Sequence, residues 1–343
     1  METTCGRQHL SSHRLFRRSP IRCHRWIHSI QHRIYPHIQL FGPPPSTMAH
    51  LNSVRRPCPL GQLREVLLGS QSFTLKMGRL LTPGRAKDGR TRMCRTYTCQ
   101  LVTIDGRDLG DDGPVLCLKL YDDRFYPLHT PAEAMEYGNM QNMMFGTAEA
   151  YICREIAVYE KLDFAQGSII PYFYGVHLFT MRDGLQVYGT LMEYVEGYRL
   201  DSGVCWSFSE RQKIQLVQSA RHAVRVLQDG DISQPWHDGH ILAHRAPTPS
   251  DLDRVHCVLV GFSAATQSLY LTENHRQDDF GSCTAALIEE GTGLFEDFVM
   301  EHMGPREVWD FFSRMTGVWR FAPERNLPDP FAFIHTSQAG LPD

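Results

Sequence analysis

A lysine and a glutamate lie at positions where the sequence pattern predicts burial. The run VLCLKLYDD at residues 115–123 alternates as a strand does, and Lys119 interrupts its apolar stretch. On a helical wheel of residues 148–162, Glu155 falls in the middle of the apolar stripe. A buried charge costs several kcal/mol unless an opposite charge neutralises it. The sequence therefore predicts a Lys119–Glu155 ion pair; the alternative is that each side chain extends to solvent by itself.

A second group of candidate residues is acidic and follows a predicted helix. Within LQDGDISQPWHDGHIL, three aspartates fall inside ten residues: Asp229, Asp231 and Asp238. His237 or His240 beside them would ligate Mn²⁺ or Zn²⁺ better than Mg²⁺. The alternative is that all of these are surface loop residues.

Composition and charge argue against several classes of function. The chain has 343 residues, of which 42% are apolar and 21% charged, as in globular proteins of one or two domains. Residues 65–343 carry 25 basic and 37 acidic residues, and so acidic a body is a poor nucleic-acid binder. No apolar stretch is as long as the roughly 18 residues of a membrane span. The ten cysteines form no CxxC pair and no zinc-binding spacing with histidine, so we expect reduced, mostly buried thiols.

Residues 1–64 differ in composition from the rest of the chain. They contain ten arginines, no lysine and a single acid, Glu2. Such a basic segment with interspersed apolar residues is typical of a mitochondrial presequence. It could equally be a disordered basic tail, or an extension upstream of an internal start at Met48. We therefore expect an intracellular protein, either cytoplasmic or mitochondrial, and whether residues 1–47 are a presequence stays open.

The remaining pattern predicts an α+β protein with two lobes. Residues 65–195 are expected to form a small antiparallel-sheet lobe with one helix, and residues 196–343 a mainly helical, reduced lobe. Expected in the first lobe are strands at 72–81, 95–104 and 115–121, a helix at 147–162 and a hairpin at 171–195. Expected in the second lobe are a helix at 209–228 capped by Ser207 and Glu210, a strand at 255–262, and helices within 284–316.

The order of these elements, together with several short motifs, resembles the protein kinase superfamily. The motifs LKLYDDRF, CREIAVYEKL, GSIIPYFYGVHLF and GTLMEYVEG are closest to kinase-like proteins of filamentous fungi, and the resemblance covers roughly residues 72–300. It implies a two-lobed kinase-like fold. It also implies that Lys119 holds the α- and β-phosphates of ATP and that Glu155 orients the lysine.

The same resemblance assigns residues to the adenine site and to the loop that covers the phosphates. Met192 would be the gatekeeper residue, and the main chain from Glu193 to Val195 would be the hinge that faces adenine. The phosphate loop departs from the kinase pattern, because its glycines are too far apart for a tight backbone cradle: Gly78, Gly84 and Gly89. A long solvated basic loop is the alternative to one that reaches phosphates through its arginines and lysine.

The resemblance fails at the positions where a kinase performs its chemistry. Asp231 falls at the position of the catalytic base, but Gly230 replaces the arginine before it, and no asparagine follows within residues 229–243. The strand VHCVLVGF ends in Gly261-Phe262, where the kinase pattern has a metal-binding aspartate before the phenylalanine. With both oxygen donors missing, Mg²⁺ would lack its usual protein ligands.

We therefore expect a pseudokinase, a kinase-like protein with impaired catalysis that binds a protein partner. ATP is a candidate ligand, and a role for Mg²⁺ stays open. The alternative is an enzyme, either a divergent protein kinase or a small-molecule phosphotransferase, with Asp231 as its base. A third reading is a structural interaction module in mitochondria. The sequence predicts no resident metal site and identifies neither substrate nor partner.

Overall fold

The computed structural model describes the chain in segments and divides it into two compact units. The described residues are 20–24 (backbone only), 45–82, 94–122, 148–181, 183–234, 239–245, 254–267, 281–288, 291 and 293–302. The first unit comprises residues 1–33, 59–126 and 174–192, and the second comprises 34–58, 127–173 and 193–343. Most of the expected phosphate loop, His237, Asp238 and the expected helix beyond residue 302 lie outside the described residues.

The helices follow the sequence pattern closely in the part of the chain that the structure describes. In chain order they are α1 (Pro45–Ser53), α2 (Leu63–Gly69), α3 (Ala148–Lys161), α4 (Gly203–Trp206), α5 (Glu210–Asp229), α6 (281–288) and α7 (Glu296–His302). The expected helices at 147–162 and 209–228 correspond to α3 and α5, each within one residue at either end.

The first unit is built on a curled antiparallel sheet. Its strands are β1 (Pro20–His24), β2 (Ser72–Leu80), β3 (Cys94–Ile104), β4 (Arg107–Asp108), β5 (Val115–Tyr121), β6 (Phe173–Thr180) and β7 (Gln186–Glu193). They lie in the order β2-β1-β6-β7-β5-β3-β4, and β2 also pairs with β3, so the sheet curls round on itself. The strands expected at 72–81, 95–104 and 115–121 are confirmed by β2, β3 and β5.

The predicted hairpin turn at Asp183-Gly184 is confirmed, and its hydrogen bonds explain it. Gly184 has φ +80°, a conformation that favours glycine. Its N–H donates to the Met181 carbonyl at 2.9 Å, while the Asp183 carboxylate accepts from the Leu185 N–H at 3.1 Å. This local geometry connects β6 to β7 and so fixes where the segment 192–195 begins.

The second unit combines helices with two small sheets around one apolar core. The strands β8 (Gly197–Arg199), β10 (Ile241–Arg245) and β11 (Val255–Leu259) form a three-stranded sheet in the order β11-β10-β8. The short strands β9 (Ile232–Ser233) and β12 (Thr266–Gln267) pair with each other. Buried side chains of α3, α5 and these strands share one cluster, which includes Tyr159, Leu162, Val217, Cys257 and Phe262.

The cap of α5 is a capping box, but it lies two residues after the predicted one. The Ser209 side chain accepts from the Gln212 N–H at 3.3 Å, and the Gln212 side chain accepts from the Ser209 N–H at 2.9 Å. Ser207 is used differently, because its hydroxyl donates to the Val204 carbonyl at 2.7 Å and closes α4. The prediction that Ser207 and Glu210 form the cap was therefore wrong.

The folded part of the chain includes residues that the sequence analysis placed in the basic arm. The backbone of β1 pairs with β2 and β6. Helix α1 belongs to the second unit, where Leu51 is fully buried in the core. Helix α3 also belongs to the second unit, whereas the sequence analysis assigned it to the lobe at 65–195. The physical reason is its apolar stripe, whose residues Val158, Tyr159 and Leu162 pack in the second unit's core.

The fold class is therefore mixed α+β with a curled antiparallel sheet and several helices. Within the described residues, no helix has both the length and the apolar character needed to cross a membrane.

Candidate functional site

Lys119 and Glu155 are both buried, as the sequence predicted. Lys119 is 6% exposed on β5, opposite Thr96 of β3, and its Nζ lies 5.1 Å from the centroid of the Tyr121 ring. This distance allows a cation–π contact with the neighbour two residues along the strand. Glu155 is 0% exposed within α3. Lys119 belongs to the first unit and Glu155 to the second, and their pairing stays a prediction.

The segment that the resemblance assigns to the hinge is closely held by its own main chain. Met192, Glu193 and Val195 are all buried. The Glu193 N–H donates to the Tyr172 carbonyl at 2.8 Å, and the Val195 carbonyl accepts from the Gly197 N–H at 2.9 Å. Both bonds fix the path of the chain as it leaves β7. Whether this segment faces adenine stays a prediction.

A buried arginine from the supposed basic arm holds the side chain of Glu193. The guanidinium of Arg56 binds the carboxylate in a bidentate way, Nε to Oε1 at 2.7 Å and Nη2 to Oε2 at 2.9 Å. The same guanidinium donates to the carbonyls of Ser168 at 2.6 Å and Ile170 at 3.2 Å. The second oxygen of Glu193 also accepts from the Tyr172 N–H at 3.0 Å. Planar, forked donation of this kind is the strongest form of a side-chain ion pair.

The sequence analysis did not find Arg56, and the sequence offers little signal for it. Its partner carboxylate is 137 residues away in the chain. The one local hint is that Arg56 precedes Pro57, which restricts its backbone; in the structure it comes three residues after the end of α1.

Asp231, the candidate base, ends α5 in a left-handed conformation. Its φ is +50°, and its N–H donates to the Gln228 carbonyl at 2.9 Å, which closes the last turn of the helix. Its side chain is 54% exposed and lies 3.3 Å from the Nζ of Lys161 at the end of α3. Aspartate tolerates this backbone region better than most residues, so the helix end alone is sufficient reason for an Asp here.

Gly230 occupies the position where the resemblance expects an arginine, and packing accounts for the glycine. A Cβ at this position would lie 2.9 Å from Cδ2 of Leu162 and 3.2 Å from the carbonyl oxygen of Leu227. Its φ is −85°, which any residue can adopt. The close approach of the two helices, rather than backbone conformation, therefore favours glycine.

Gly261, Gln234 and His240 form a small cluster where the resemblance expects the metal-binding aspartate and asparagine. We call it the Gly261 corner. Gly261 has φ +83°, and a Cβ there would lie 2.9 Å from Cδ2 and 3.1 Å from Nε2 of His240. The Gln234 amide nitrogen donates to the Gly261 carbonyl at 3.2 Å and lies 3.2 Å from Nδ1 of His240. An imidazole therefore fills the space that a side chain at position 261 would enter.

The residue after Gly261 is a phenylalanine that packs against α3. Phe262 is fully buried, and its ring makes an edge-on contact with the ring of Tyr159 on α3, with centroids 5.6 Å apart. Phe262 therefore packs against this helix, and the residue before it has no carboxylate.

The acidic residues near Asp231 do not gather into a metal site in the described part of the chain. Among the described residues, no group of three or more His, Cys, Asp or Glu side chains could hold a metal ion. Asp229 is exposed at the end of α5, and its companions His237 and Asp238 lie outside the described residues. The Oε1 of Gln234 is buried, with no hydrogen-bond partner in the described part of the corner.

Buried histidines form the most unusual polar feature of the second unit, and the sequence analysis did not single them out. The rings of His50 and His222 meet edge-on with centroids 4.1 Å apart, and those of His244 and His256 with centroids 4.9 Å apart. Burial, together with the smaller effects of the charges on His50 and Arg225, lowers the pKa of His222 to about 3. Burial likewise lowers the pKa of His256 to about 3, with His244 and Arg56 as the next causes.

The described cysteines match the expectation of reduced, mostly buried thiols. All eight are free, and five of them are buried: Cys99, Cys117, Cys205, Cys257 and Cys283. Burial raises the pKa of Cys99 and of Cys257, so neither is a reactive thiolate at neutral pH.

Comparison with known proteins gives no family for this chain. No protein-family model matches it, and no curated protein matches it.

Proposed function

We propose that this chain is a kinase-like protein with impaired phosphoryl transfer, a pseudokinase, which binds a protein partner and has ATP as a candidate ligand. The observation that carries the proposal is the Gly261 corner. At the position that supplies the metal-binding carboxylate in kinases, the chain has a glycine in a left-handed conformation, with the ring of His240 against its Cβ position. Phosphoryl transfer relies almost wholly on metal ions and positioning, so this loss removes most of its driving electrostatics.

The burial of Lys119 supports nucleotide binding within the same proposal. A strand lysine that is 6% exposed has been taken out of water at a considerable cost. A triphosphate would repay that cost with charge-assisted hydrogen bonds. Under the proposal, Lys119 is the phosphate-binding cation, and Glu155 is the buried carboxylate that orients it.

The placement of the degenerate motifs along the chain also supports the proposal. Asp231 comes directly after α5, as the resemblance requires of the catalytic-loop aspartate. Gly261-Phe262 comes shortly after the buried strand β11, as it requires of the metal-binding motif. The spacing of the kinase pattern is thus kept where its chemistry is altered.

Ligand-dependent thermal stability of the full-length chain tests the proposal. We would measure the melting temperature with ATP alone, with ATP and Mg²⁺, and with ATP and Mn²⁺. Ligand at about 100 times its dissociation constant stabilises the folded state by about 2.7 kcal/mol. We expect stabilisation by ATP that does not require a metal, and no release of phosphate above background.

Two lysine variants make the test specific. Lys119→Met keeps the length of the side chain without its charge and should abolish the stabilisation by ATP. Lys76→Met is the matched control, because Lys76 lies on strand β2 of the same sheet but is 56% exposed; its response to ATP should equal that of the unaltered chain. Phosphate release that depends on metal would overturn the pseudokinase proposal, and an ATP response that survives Lys119→Met would overturn the role of Lys119.

An active phosphotransferase is the second candidate, and the exposure of Asp231 favours it. More than half of that side chain is open to solvent, so a substrate hydroxyl could reach it. Asp231→Asn removes the base but keeps a residue type that tolerates φ > 0. Metal-dependent ATP turnover that Asp231→Asn abolishes, without a change in melting temperature, would establish this second candidate in place of the first.

A further inference from the structure

The segment at residues 45–58, which we call the strap, binds to the second unit through several separate anchors. Leu51 of α1 is fully buried in the core. The guanidinium of Arg55 donates to the carbonyls of Gln166 at 2.8 Å and Phe164 at 2.7 Å. Arg56 adds a main-chain bond to the Gly167 carbonyl at 2.7 Å, besides its ion pair with Glu193. The strap is therefore an integral part of the second unit.

Histidines lie on both sides of the interface between the strap and α5. His50 of α1 makes its edge-on ring contact with His222, which is 6% exposed on α5. His256 of β11 is close enough to His50 to feel its charge. Such contacts accommodate neutral imidazoles, whereas two adjacent imidazolium rings would repel each other.

The charges around these rings oppose protonation of His222 and His256, and at His244 they act in both directions. Arg225 acts on His222 from the same helix, and Arg56 acts on His256 from the strap. On β10, burial has the largest effect on His244 and lowers its pKa. Arg56 also lowers that pKa, while the carboxylates of Glu193 and Glu196 raise it without reversing the effect of burial. Each of the four rings is thus kept neutral in the closed arrangement.

We propose that the strap is an acid-released latch, which the second unit holds at neutral pH and opens on mild acidification. Opening separates His50 from His222 and lets both imidazoles take up protons in water. It also withdraws Arg56 from Glu193 and so frees the carboxylate at the end of β7. The proton uptake is what makes opening sensitive to pH, because the open state binds protons that the closed state excludes. This inference is independent of nucleotide binding.

Hydrogen–deuterium exchange of the full-length chain at about pH 7.5 and about pH 5.5 tests the latch, with rates corrected for the intrinsic effect of pH. A histidine that regains its ordinary pKa of about 6.5 on opening raises the opening constant about tenfold between these two pH values. We expect the amides of residues 45–58 to lose protection by about that factor or more. Residues 94–104 of the first unit's sheet serve as the internal reference and should not change.

Histidine variants distinguish the latch from a general loss of stability. His222→Gln and His50→Gln each remove one titrating ring from the interface and should reduce the pH response of the strap. His177→Gln is the matched control, because His177 is equally buried but lies in the first unit; it should leave the response unchanged. Protection of the strap that does not depend on pH would overturn the proposal. So would an equal loss across α5, since that indicates unfolding of the whole unit.

Discussion

Two ion pairs of the second unit, Arg56–Glu193 and Lys161–Asp231, differ in almost every physical respect. Arg56 and Glu193 are 8% and 4% exposed, meet through two hydrogen bonds, and bind main-chain groups with their remaining polar atoms. Lys161 and Asp231 are 13% and 54% exposed and meet at a single distance of 3.3 Å. The first pair is enclosed and orders three chain segments, whereas the second joins the ends of α3 and α5 at the surface.

The difference shows that the better-ordered polar contact lies at the end of β7 rather than at the end of α5. The carboxylate that the resemblance would use as a base, Asp231, is the exposed member of the weaker pair. The carboxylate of the hinge segment, Glu193, is fully engaged by Arg56. The Glu193 side chain is thus enclosed by hydrogen bonds, whereas the Asp231 side chain is open to solvent.

Removing one member of the buried pair should have the largest effect. Arg56→Met leaves the Glu193 carboxylate buried without its cation, and such a loss costs about 3–5 kcal/mol. Glu193→Gln should cost a similar amount. Urea unfolding of the full-length chain measures both free energies of unfolding, and Arg64→Met, at an exposed ion pair of 3.9 Å, is the control that should change little.

The double variant sharpens that comparison. Arg56→Met combined with Glu193→Gln should cost clearly less than the sum of the two single changes. Each single change leaves one charge buried without its partner, whereas the double variant leaves none. If the two effects simply add, Arg56 and Glu193 do not act as a pair and the contrast with Lys161–Asp231 disappears.

The next largest effect should be a decrease in the free energy of unfolding at acidic pH, caused by the buried histidines of the second unit. His222 and His256 have a pKa of about 3 in the folded protein, against an ordinary value of about 6.5. The free energy of unfolding should therefore be unaffected by these groups above pH about 6.5 and should fall as the pH decreases towards about 3. At about pH 5.5 each histidine should lower it by about 1.4 kcal/mol.

Urea unfolding across this pH range checks the histidine effect. His222→Gln should remove the contribution of one histidine, about 1 kcal/mol of the decrease between about pH 7 and about pH 5.5. A curve that is flat down to about pH 5 would mean that the histidines titrate normally in the folded protein, and the contrast between the two regions would then not extend to pH.

Restoring an acid at position 261 should have a smaller but distinctive cost. Gly261→Asp must adopt φ +83° and displace the ring of His240, for a combined cost of about 2 kcal/mol. Gly239→Asp is a close control, because Gly239 has the same φ of +83° and the nearest side-chain atom to its Cβ position, Nη1 of Arg199, is 3.8 Å away. That variant should lose only the backbone term, about 1 kcal/mol. Equal costs for the two would show that His240 does not fill the space.

The local patterns of the chain were sufficient to predict much of this structure. The alternation around Lys119 and the apolar stripe around Glu155 predicted that both charged side chains are buried, and both are. The cap of α5 lies two residues after the predicted position. The sequence offers two overlapping capping boxes, Ser207 with Glu210 and Ser209 with Gln212. Hydrogen bonding within α4 decides between them, and a one-dimensional pattern does not contain that information.

The features that sequence reasoning missed depend on contacts between distant segments. Arg56 meets its carboxylate across 137 residues, and the rings of His50 and His222 come from α1 and α5. The composition of residues 1–64 suggested a tail, because average charge does not reveal that single arginines are buried. The Gly261 corner is similar, since only the paired β10 and β11 bring His240 beside Gly261.

The smallest expected effect concerns Asp231. It decides whether an aspartate at this position stabilises the protein through its tolerance of the left-handed backbone conformation or through its charge. Asp231→Gly loses an exposed ion pair worth less than about 1 kcal/mol but relieves the cost of φ +50°, so stability should be nearly unchanged. Asp231→Ala loses the ion pair and keeps the cost, so it should be less stable than Asp231→Gly by about 1 kcal/mol. Lys161→Met removes the ion pair without altering the helix end and should measure the charge term alone. If Asp231→Gly and Asp231→Ala are equally stable, the left-handed helix end is not what holds an aspartate here, and the exposed carboxylate becomes the stronger reason for it.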